Sequence, residues 1–213
     1  MKRTIHPFET EEKWLALRQR NINSTESSAL FNLSPYLTHF ELFHRKRQPD
    51  LNHFSENFRM KVGRLVEPAI AMLALDEIEA TGKEYKDYVV IDDLRMGSSF
   101  DWIIDSWPYE GWLIECKNVD WKAYKDSWTE DEAPVHIETQ VQHQMHVNGS
   151  PGCVIAALVG GNDLKLIFRE YDPLFGKALQ DNIEVFWRNL DSGLEPEVTL
   201  PIVTGKQIGR AHV

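Results

Sequence analysis

The spacing of apolar residues changes at Gly82, and this change constrains the fold more than any other feature of the sequence. Before Gly82, apolar residues recur at helical intervals, most clearly in residues 11–20 and from Ser55 to about Ala80. Within the longer stretch, Pro68 is expected to kink the helix or to start a second segment. After Gly82 the apolar residues follow the spacing of strands, so the sequence predicts helices followed by a sheet.

The remainder of the chain alternates between the two spacings. Three consecutive strands are predicted at 88–91, 96–105 and 111–119, in the order of a meander. A helix at 134–148 follows, then two strands within 153–171, and then a final helix at about 173–190. This order is typical of an α/β fold with a mixed central sheet flanked by helices.

The 213 residues suffice for one compact domain, which we assign to residues 1–192, with a C-terminal tail at 193–213 for which an origin partly in an expression vector is one interpretation. No apolar run approaches the roughly 20 residues that cross a bilayer, which argues against a membrane span. The N-terminus turns acidic where a signal peptide would be apolar, and the only cysteines are Cys116 and Cys153. A cytoplasmic location is therefore expected.

The net charge of −10 argues at first against a nucleic-acid partner. The charges are segregated, however, because residues 1–64 hold 11 basic and 7 acidic side chains, whereas the rest of the chain holds 12 basic and 26 acidic ones. Two interpretations remain open. The asymmetry indicates either a polyanion-binding face beside a cluster of metal-binding carboxylates, or uneven surface decoration.

Asp101, Glu115 and Lys117 form the pattern that carries chemical information. Glu115 and Lys117 lie two residues apart in an otherwise apolar strand, so both side chains point to the same face. Burying them is costly without a partner, and a divalent metal ion bound by Asp101 and Glu115 would compensate the cost. The alternative is a strand whose acid and base pair with neighbouring charges.

Phosphodiester hydrolysis would explain these residue types. It requires a cation for the charge that develops on the phosphate oxygens and a water made nucleophilic at neutral pH. Oxygen ligands select Mg²⁺, for which Mn²⁺ can substitute. The Cys116 carbonyl is a further candidate ligand, and Lys117 can orient the water, lower its pKa or stabilise the transition state.

Five segments together resemble the successive motifs of YqaJ-like viral recombinases, relatives of the phage lambda exonuclease in the PD-(D/E)XK superfamily. They are RNINSTESSALFNLSPYLTHFELFHRKR at 20–47, GRLVEPAIAMLA at 63–74, SSFDWIID at 98–105, WLIECK at 112–117 and ETQVQHQMHVNG at 138–149. The resemblance covers about residues 15–172. It implies a restriction-endonuclease-like core and a metal-dependent 5′-to-3′ exonuclease that digests double-stranded DNA in recombination.

The resemblance also implies a role for each matching residue. The predicted metal ligands are Glu67, Asp101, Glu115 and the carbonyl of Cys116; the predicted catalytic residues are Asp101, Glu115, Lys117 and the supporting Gln140; the predicted contacts to the 5′-phosphate of DNA are Arg18 and Thr25. A single-strand annealing protein and further copies of the chain are the other expected partners, in a bacterial or phage-infected cell. A solvated Glu67 and an Arg18 that merely covers its helix are the alternatives.

The chain departs from the family pattern at three places. Phe100 stands where proline usually precedes the aspartate, Trp102 where glycine is common, and Asn23-Ser24 where small residues precede Thr25. Residues 119–134 are specific to this chain. Their aromatic residues, Trp121, Tyr124 and Trp128, can stack on bases, but a plain surface loop is the preferred interpretation.

Other classes of site find less support. His143 and His146 with Cys153 suggest zinc, but no CxxC or HExxH accompanies them, so surface histidines are expected. Two cysteines are too few for an iron-sulfur nuclease. Gly160-Gly161 is predicted to form a hairpin turn. A site- or structure-specific endonuclease and a DNA-binding module without turnover remain alternatives to the exonuclease.

Overall fold

The computed structural model describes residues 2–48 and 57–199. Its N-terminal part contains short elements, as predicted, together with two strands that the sequence pattern did not indicate. Thr10 caps the first helix, and Thr38 and Glu41 form the predicted capping box of the third. The elements are β1 (Arg3–His6), α1 (Glu11–Arg20), β2 (Ile22–Asn23), a 3-10 turn (Ser24–Glu26), α2 (Ser27–Leu30) and α3 (His39–Arg47).

Helix α4 (Phe58–Glu77) runs without interruption through Pro68, so the expected second segment is absent from it. Its buried residues, Ile70, Ala71, Ala74 and Leu75, all follow the proline. Packing of this apolar face offsets the backbone hydrogen bond that proline removes, because tertiary contacts supply most helix stability. The predicted start at Ser55 lies outside the described residues.

The central sheet has five strands in the order β3-β6-β7-β8-β9. Strands β7 and β8 are parallel and the other pairs are antiparallel, which confirms the predicted mixed sheet. Its members are β3 (Gly82–Glu84), β6 (Trp102–Ile104), β7 (Leu113–Val119), β8 (Gly152–Val159) and β9 (Asp163–Glu170).

A second sheet has the order β1-β4-β5-β2, with β4 at Tyr88–Ile91 and β5 at Met96–Ser98. The predicted strand 96–105 is therefore two strands in two sheets, and the expected three-strand meander is wrong. Residues 99–101 cross from β5 to β6, because the small residues Ser98 and Ser99 allow the chain to leave the first sheet there.

The central sheet is covered on both faces. Helix α4 packs against β7 and β8 on one face. On the other face lie α6 (Val135–Asn148) and α7 (Pro173–Ser192), whose apolar side chains join those of both sheets in the larger core. Successive residues of β7 therefore face α4 and α6 in turn, which gives each helix access to a different side of the same strand.

Two remaining segments complete the described chain. Residues 119–134 contain helix α5 (Trp121–Ser127), so the expected plain loop is wrong, while Gly160 and Gly161 form the predicted turn between β8 and β9. Helix α7 ends at Ser192, at the predicted domain boundary, and the assignment of a tail stays a prediction because residues 200–213 lie outside the described part. None of the helices described is long and apolar enough to cross a membrane.

Candidate active site

Asp101 and Glu115 lie opposite each other directly before the start of β6. Trp102 pairs with Ile114, so the next antiparallel pair is Asp101 with Glu115. Since β6 begins only at Trp102, which pairs with Ile114, the Cys116 N–H faces the chain before β6 and donates a hydrogen bond of 2.8 Å to Asp101 Oδ2. The Cys116 carbonyl points to the same edge as its N–H, towards the Asp101 side chain.

Both carboxylate oxygens of Glu115 accept hydrogen bonds. Gln140 Nε2 donates to Oε1 at 2.7 Å and Gln144 Nε2 donates to Oε2 at 2.6 Å, since the two glutamines lie one turn apart on α6. The Lys117 ammonium also donates to Glu115 Oε1, and at 3.3 Å to the Gln140 amide oxygen. Glu115, Lys117 and Gln140 are thus brought together as predicted.

Gln144, which the sequence places on the same helix face as Gln140, is a member of this site that the predicted catalytic and metal-binding residues did not include. Its amide holds the second oxygen of the predicted metal ligand Glu115. The four-residue spacing from Gln140 was the available signal, because residues four apart share one face of a helix.

Three carboxyl groups influence one another here. Burial raises the pKa of Asp101 well above its usual range, and the charges of Glu115 and Glu67 raise it further. Burial, followed by the charge of Glu115, raises the pKa of Glu67 to about 7. Glu67 is thus a partly buried acid whose pKa responds to the charge of Glu115, and its role as a metal ligand stays a prediction.

Lys117 is the cation of the cluster. Burial lowers the pKa of its ammonium, but the charges of Glu115 and Asp101 outweigh burial and raise the pKa above its ordinary value. Burial, with the charge of Asp101, raises the pKa of the Cys116 thiol, which therefore stays protonated. The carbonyl of Cys116, rather than its sulfur, is thus the group suited to a hard cation.

The donor set fits Mg²⁺ or Mn²⁺. Within residues 2–48 and 57–199, no group of three acidic, histidine or cysteine side chains is placed so that it could hold a metal ion by itself, and both oxygens of Glu115 already have partners. The three mutually repelling carboxylates nevertheless exceed the positive charge that Lys117 provides. Such a charge deficit among oxygen donors matches a divalent cation.

Arg18 and Thr25, the two predicted phosphate contacts, are in contact with each other. Arg18 Nη2 lies 3.2 Å from Thr25 Oγ1, and the guanidinium lies over the Trp14 ring at 4.6 Å. Arg18 is partly buried and Thr25 is exposed. The pair presents a guanidinium and a hydroxyl side by side, as a phosphate group requires.

The turn that carries Thr25 is joined to the strand that precedes Asp101. Strand β2 pairs in parallel with β5, with Asn23 opposite Gly97, and the Ser98 hydroxyl donates to Ser24 Oγ at 3.0 Å. Three residues after Ser98 the chain reaches Asp101. The predicted phosphate contacts and the predicted metal ligands are therefore parts of one connected structure.

A buried lysine fastens the same turn from α3. Lys46 Nζ donates to the carbonyls of Arg18 and Asn21, each at 2.8 Å, and forms an ion pair of 2.7 Å with Glu26. Burial lowers the pKa of Lys46, which the charge of Glu26 partly offsets.

The departures from the family pattern have local explanations. Asn23 is buried, with its amide oxygen accepting a 2.6 Å hydrogen bond from the Tyr88 hydroxyl and its amide nitrogen donating to Glu26. Phe100 is buried against Tyr85, and Trp102 packs in the core beneath α4. With these side chains in place, Asp101 lies directly before β6 and opposite Glu115.

His143 and His146 are buried, so the expectation of surface histidines is wrong. His143 Nε2 bonds to the Gly97 carbonyl at 3.1 Å and His146 Nδ1 to the Tyr171 hydroxyl at 2.6 Å. These bonds engage one nitrogen of each ring, and among the described residues His143 Nδ1 is buried without a hydrogen-bond partner. The histidines support the contact of α6 with β5 and with the chain leading into α7.

The aromatic residues of the 119–134 segment form a stack that extends from the core to the surface. Trp128 is buried, Tyr124 stacks on it at 6.0 Å, and the half-exposed Trp121 lies at 6.4 Å from Tyr124. Two of the three rings thus support helix α5 itself, and base stacking by Trp121 stays a prediction.

Comparison with protein families identifies one match. The family model described as the YqaJ-like viral recombinase domain matches residues 13–151. A curated relative, uncharacterized protein YqaJ of Bacillus subtilis (strain 168), is 25% identical over 185 residues, which are 84% of this chain and 56% of that protein. The chain thus spans just over half the length of this relative.

Solved structures show the same fold. An alkaline exonuclease from Laribacter hongkongensis matches with a TM-score of 0.72 and 15% identity, covering 94% of this chain and 97% of the other. Its complex with dAMP gives a TM-score of 0.68 at 17% identity, with 86% and 94% covered. A phage-related exonuclease from Haemophilus somnus 129PT gives 0.62 at 11% identity, with 85% and 98% covered. The predicted restriction-endonuclease-like fold is confirmed.

Proposed function

This chain belongs to the family of YqaJ-like viral recombinase domains, and on that premise we propose that it is a metal-dependent deoxyribonuclease. It digests double-stranded DNA in the 5′-to-3′ direction and prepares ends for recombination, where a single-strand annealing protein acts on the exposed strand. The names of the structural relatives support this activity, and one of them was crystallised with dAMP, the class of product that an exonuclease releases.

The observation that carries the proposal is the placement of Asp101 opposite Glu115, which is bonded to Lys117, at the open edge of β7, with Glu67 near enough for its charge to act on Asp101. Asp101, Glu115 and the Cys116 carbonyl would hold the cation, and Glu67 would reach it directly or through water. When bound, Mg²⁺ or Mn²⁺ supplies positive charge to the phosphate oxygens and lowers the pKa of a water molecule.

The residues around these acids would orient the reactants. Gln140 and Gln144 hold the two oxygens of Glu115 in place. The Lys117 side chain extends from β7 towards α6, where it donates to Gln140. From there it can orient the attacking water, help to deprotonate it, or stabilise the charge of the transition state.

Arg18 and Thr25 would receive the 5′-terminal phosphate. The guanidinium can grip two phosphate oxygens through charge-assisted hydrogen bonds while the Thr25 hydroxyl binds a third. A terminal phosphate carries more charge than an internal diester, so this pocket would favour a DNA end over the interior of a duplex.

Incubation of the protein with linear, nicked and circular duplexes in the presence of Mg²⁺ tests the proposal. We expect the linear duplex to be degraded progressively and the covalently closed circle to be untouched, with no cleavage in EDTA. Cleavage of the circle would indicate an endonuclease. Binding without cleavage of any substrate would indicate a DNA-binding module and contradict the proposed activity.

A further inference from the structure

Tyr36 is an exposed aromatic side chain on a rigid support. Its side chain is 76% exposed although the flanking Ser34 and Leu37 are buried. The Ser34 hydroxyl oxygen accepts hydrogen bonds from the N–H groups of Tyr36 and Leu37, at 3.2 and 3.1 Å. The capping box of α3 begins directly after them, at Thr38. The backbone thus fixes the position from which the Tyr36 ring projects.

A histidine connects this ring to the candidate active site. The rings of Tyr36 and His136 are 5.4 Å apart with perpendicular planes. His136 lies in the first turn of α6, about 6 Å along the helix axis from Gln140, which contacts both Glu115 and Lys117. The residue four positions before Gln140 shares its helix face, so His136 and Tyr36 border the reaction centre.

The electrostatics agree with this position. Burial lowers the pKa of His136 to about 4, and the nearby Lys117 ammonium contributes to the shift. The imidazole is therefore neutral at neutral pH, and its contact with Tyr36 is one between two uncharged rings.

The contact leaves an aromatic surface available. Because the two ring planes are perpendicular, the imidazole covers at most one face of Tyr36, and the other face belongs to the exposed surface. A flat aromatic surface that reaches the candidate active site through His136 matches the chemistry of a nucleotide, whose base stacks on aromatic rings.

We propose that Tyr36 is a substrate-contact residue whose exposed ring stacks on the base of a nucleotide adjacent to the cleaved bond, and that His136 is the positioning residue that holds this ring. The inference rests on the proposed nuclease function and extends it, because it assigns recognition of a base to a part of the site outside the metal ligands and the phosphate pocket.

Duplexes that lack a single base test the stacking directly. An abasic nucleotide is introduced at each of the first four positions from the 5′ end, one at a time, and initial cleavage rates are measured for wild type, Tyr36→Ala and Tyr36→Phe. We expect one position at which loss of the base slows the wild type about tenfold. Tyr36→Ala should be about tenfold slower on intact DNA and indifferent to base loss there.

Tyr36→Phe retains the ring and should retain the wild-type profile. Trp107→Ala is the matched control, because Trp107 is 86% exposed but follows β6 at the end of the strand remote from Asp101. For the positioning role, His136→Ala should lose the sensitivity to the base, and His136→Phe should restore it, since the contact requires only a neutral ring. A Tyr36→Ala profile that matches the wild type at all four positions would overturn the inference.

A measurement without turnover separates this inference from the proposed function. Duplexes carrying 2-aminopurine at the same positions are titrated with protein in Ca²⁺, which is expected to support binding without rapid cleavage. We expect fluorescence quenching at one position for wild type and Tyr36→Phe, and its absence for Tyr36→Ala. If the wild type quenches the fluorescence in Ca²⁺ but does not cleave in Mg²⁺, the nuclease function is contradicted and the stacking is supported. If the wild type cleaves in Mg²⁺ but all three proteins give equal fluorescence, the stacking is contradicted and the nuclease function is supported.

Discussion

At the level of single residues, the Lys117 ammonium is held between the Glu115 carboxylate and the Gln140 amide oxygen. Lys117→Ala should reduce cleavage at least about 100-fold, because groups directed at the charge of the transition state commonly contribute that much. DNA binding should change by less than about threefold, since one phosphate contact is a small part of an interface made of many.

Single-turnover rates and fluorescence-anisotropy binding, both measured on one linear duplex, separate these effects. Lys165→Ala is the control, because Lys165 lies on the edge strand β9 and pairs with Asp163. Parallel losses of binding and cleavage in Lys117→Ala would argue against a role in the chemical step.

Gln144 allows a second test at this scale. Gln144→Leu removes the hydrogen bond to Glu115 Oε2 while conserving the size of the side chain. Partners that orient a metal ligand typically contribute 10- to 100-fold to affinity, so Mn²⁺ binding should weaken about tenfold. Calorimetric titration with Mn²⁺ measures this. Gln142→Leu, on the same helix but bonded to the backbone of Glu170 and Asp172, should leave the Mn²⁺ affinity unchanged.

The sequence predicted most of this arrangement because of simple periodicities. Two-residue spacing in a strand places Glu115 and Lys117 on one face, and four-residue spacing in a helix does the same for Gln140 and Gln144. The contact of Arg18 with Thr25 was implied only by the resemblance to a family. The contact of Tyr36 with His136 joins residues 100 positions apart, and no local pattern predicts it.

Among the elements, helix α1 and the turn after β2 carry the two residues proposed to bind the 5′-phosphate of DNA, Arg18 and Thr25. Arg18→Ala removes the guanidinium that contacts Thr25. Wild type should digest 5′-phosphorylated duplex faster than 5′-hydroxyl duplex, and Arg18→Ala should lose most of this preference, because two charge-assisted hydrogen bonds to the phosphate disappear. Initial rates on both substrates decide the matter, with Mn²⁺ affinity as the control. A wild type that is indifferent to the 5′ group would exclude the pocket.

Lys46, which bonds to the backbone before this turn and pairs with Glu26 within it, allows a prediction about stability. Lys46→Met leaves the Glu26 carboxylate and two backbone carbonyls without their cation. Removing one partner of a buried ion pair typically costs about 3 kcal/mol, and we expect a loss of that size in the free energy of unfolding. Urea denaturation measures it, with Lys61→Met on the exposed face of α4 as the control. If Lys46→Met changes the free energy of unfolding no more than the control does, the contacts of Lys46 do not contribute to stability.

The break between β5 and β6 is one of the features that sequence reasoning missed, with strands β1 and β2 and helix α5. An apolar run with the spacing of strands looks continuous from 96 to 105, although the small residues Gly97, Ser98 and Ser99 within it are typical of a turn before Asp101. Pairing decides where a strand ends, since β5 bonds to β4 and β2 whereas β6 bonds to β3 and β7. The partners of β5 and β6 extend back to residue 22 and are not encoded locally.

For the molecule as a whole, the buried histidines link stability to pH. Burial lowers the pKa of His143 to about 3, below its ordinary value of about 6.5. Between these values the unfolded chain binds a proton that the folded protein does not, so this group lowers stability as the pH falls through that range and has no effect above it. Asp101 and Glu67, whose pKa values are raised, act in the opposite sense.

Comparison with His143→Gln isolates the histidine, because the carboxyl groups are common to both proteins. When the pH falls from 7 to 5, the free energy of unfolding of the wild type should decrease by about 2 kcal/mol more than that of His143→Gln. Urea denaturation at both pH values measures the two differences. Parallel changes in the two proteins would show that His143 gains its proton as readily in the folded state as in the unfolded one.

The crossing at residues 99–101 fixes the distance between the Arg18 pocket and the acids at the edge of β7. The turn at Ser24 is bonded to Ser98, and Asp101 follows three residues later, so no hinge or long loop separates the Arg18 pocket from the edge of β7. A DNA end seated against Arg18 would therefore meet the acids at a constant offset along its strand. The fixed distance would determine where the strand is cut, so the size of each released fragment would be uniform whatever the sequence of the DNA.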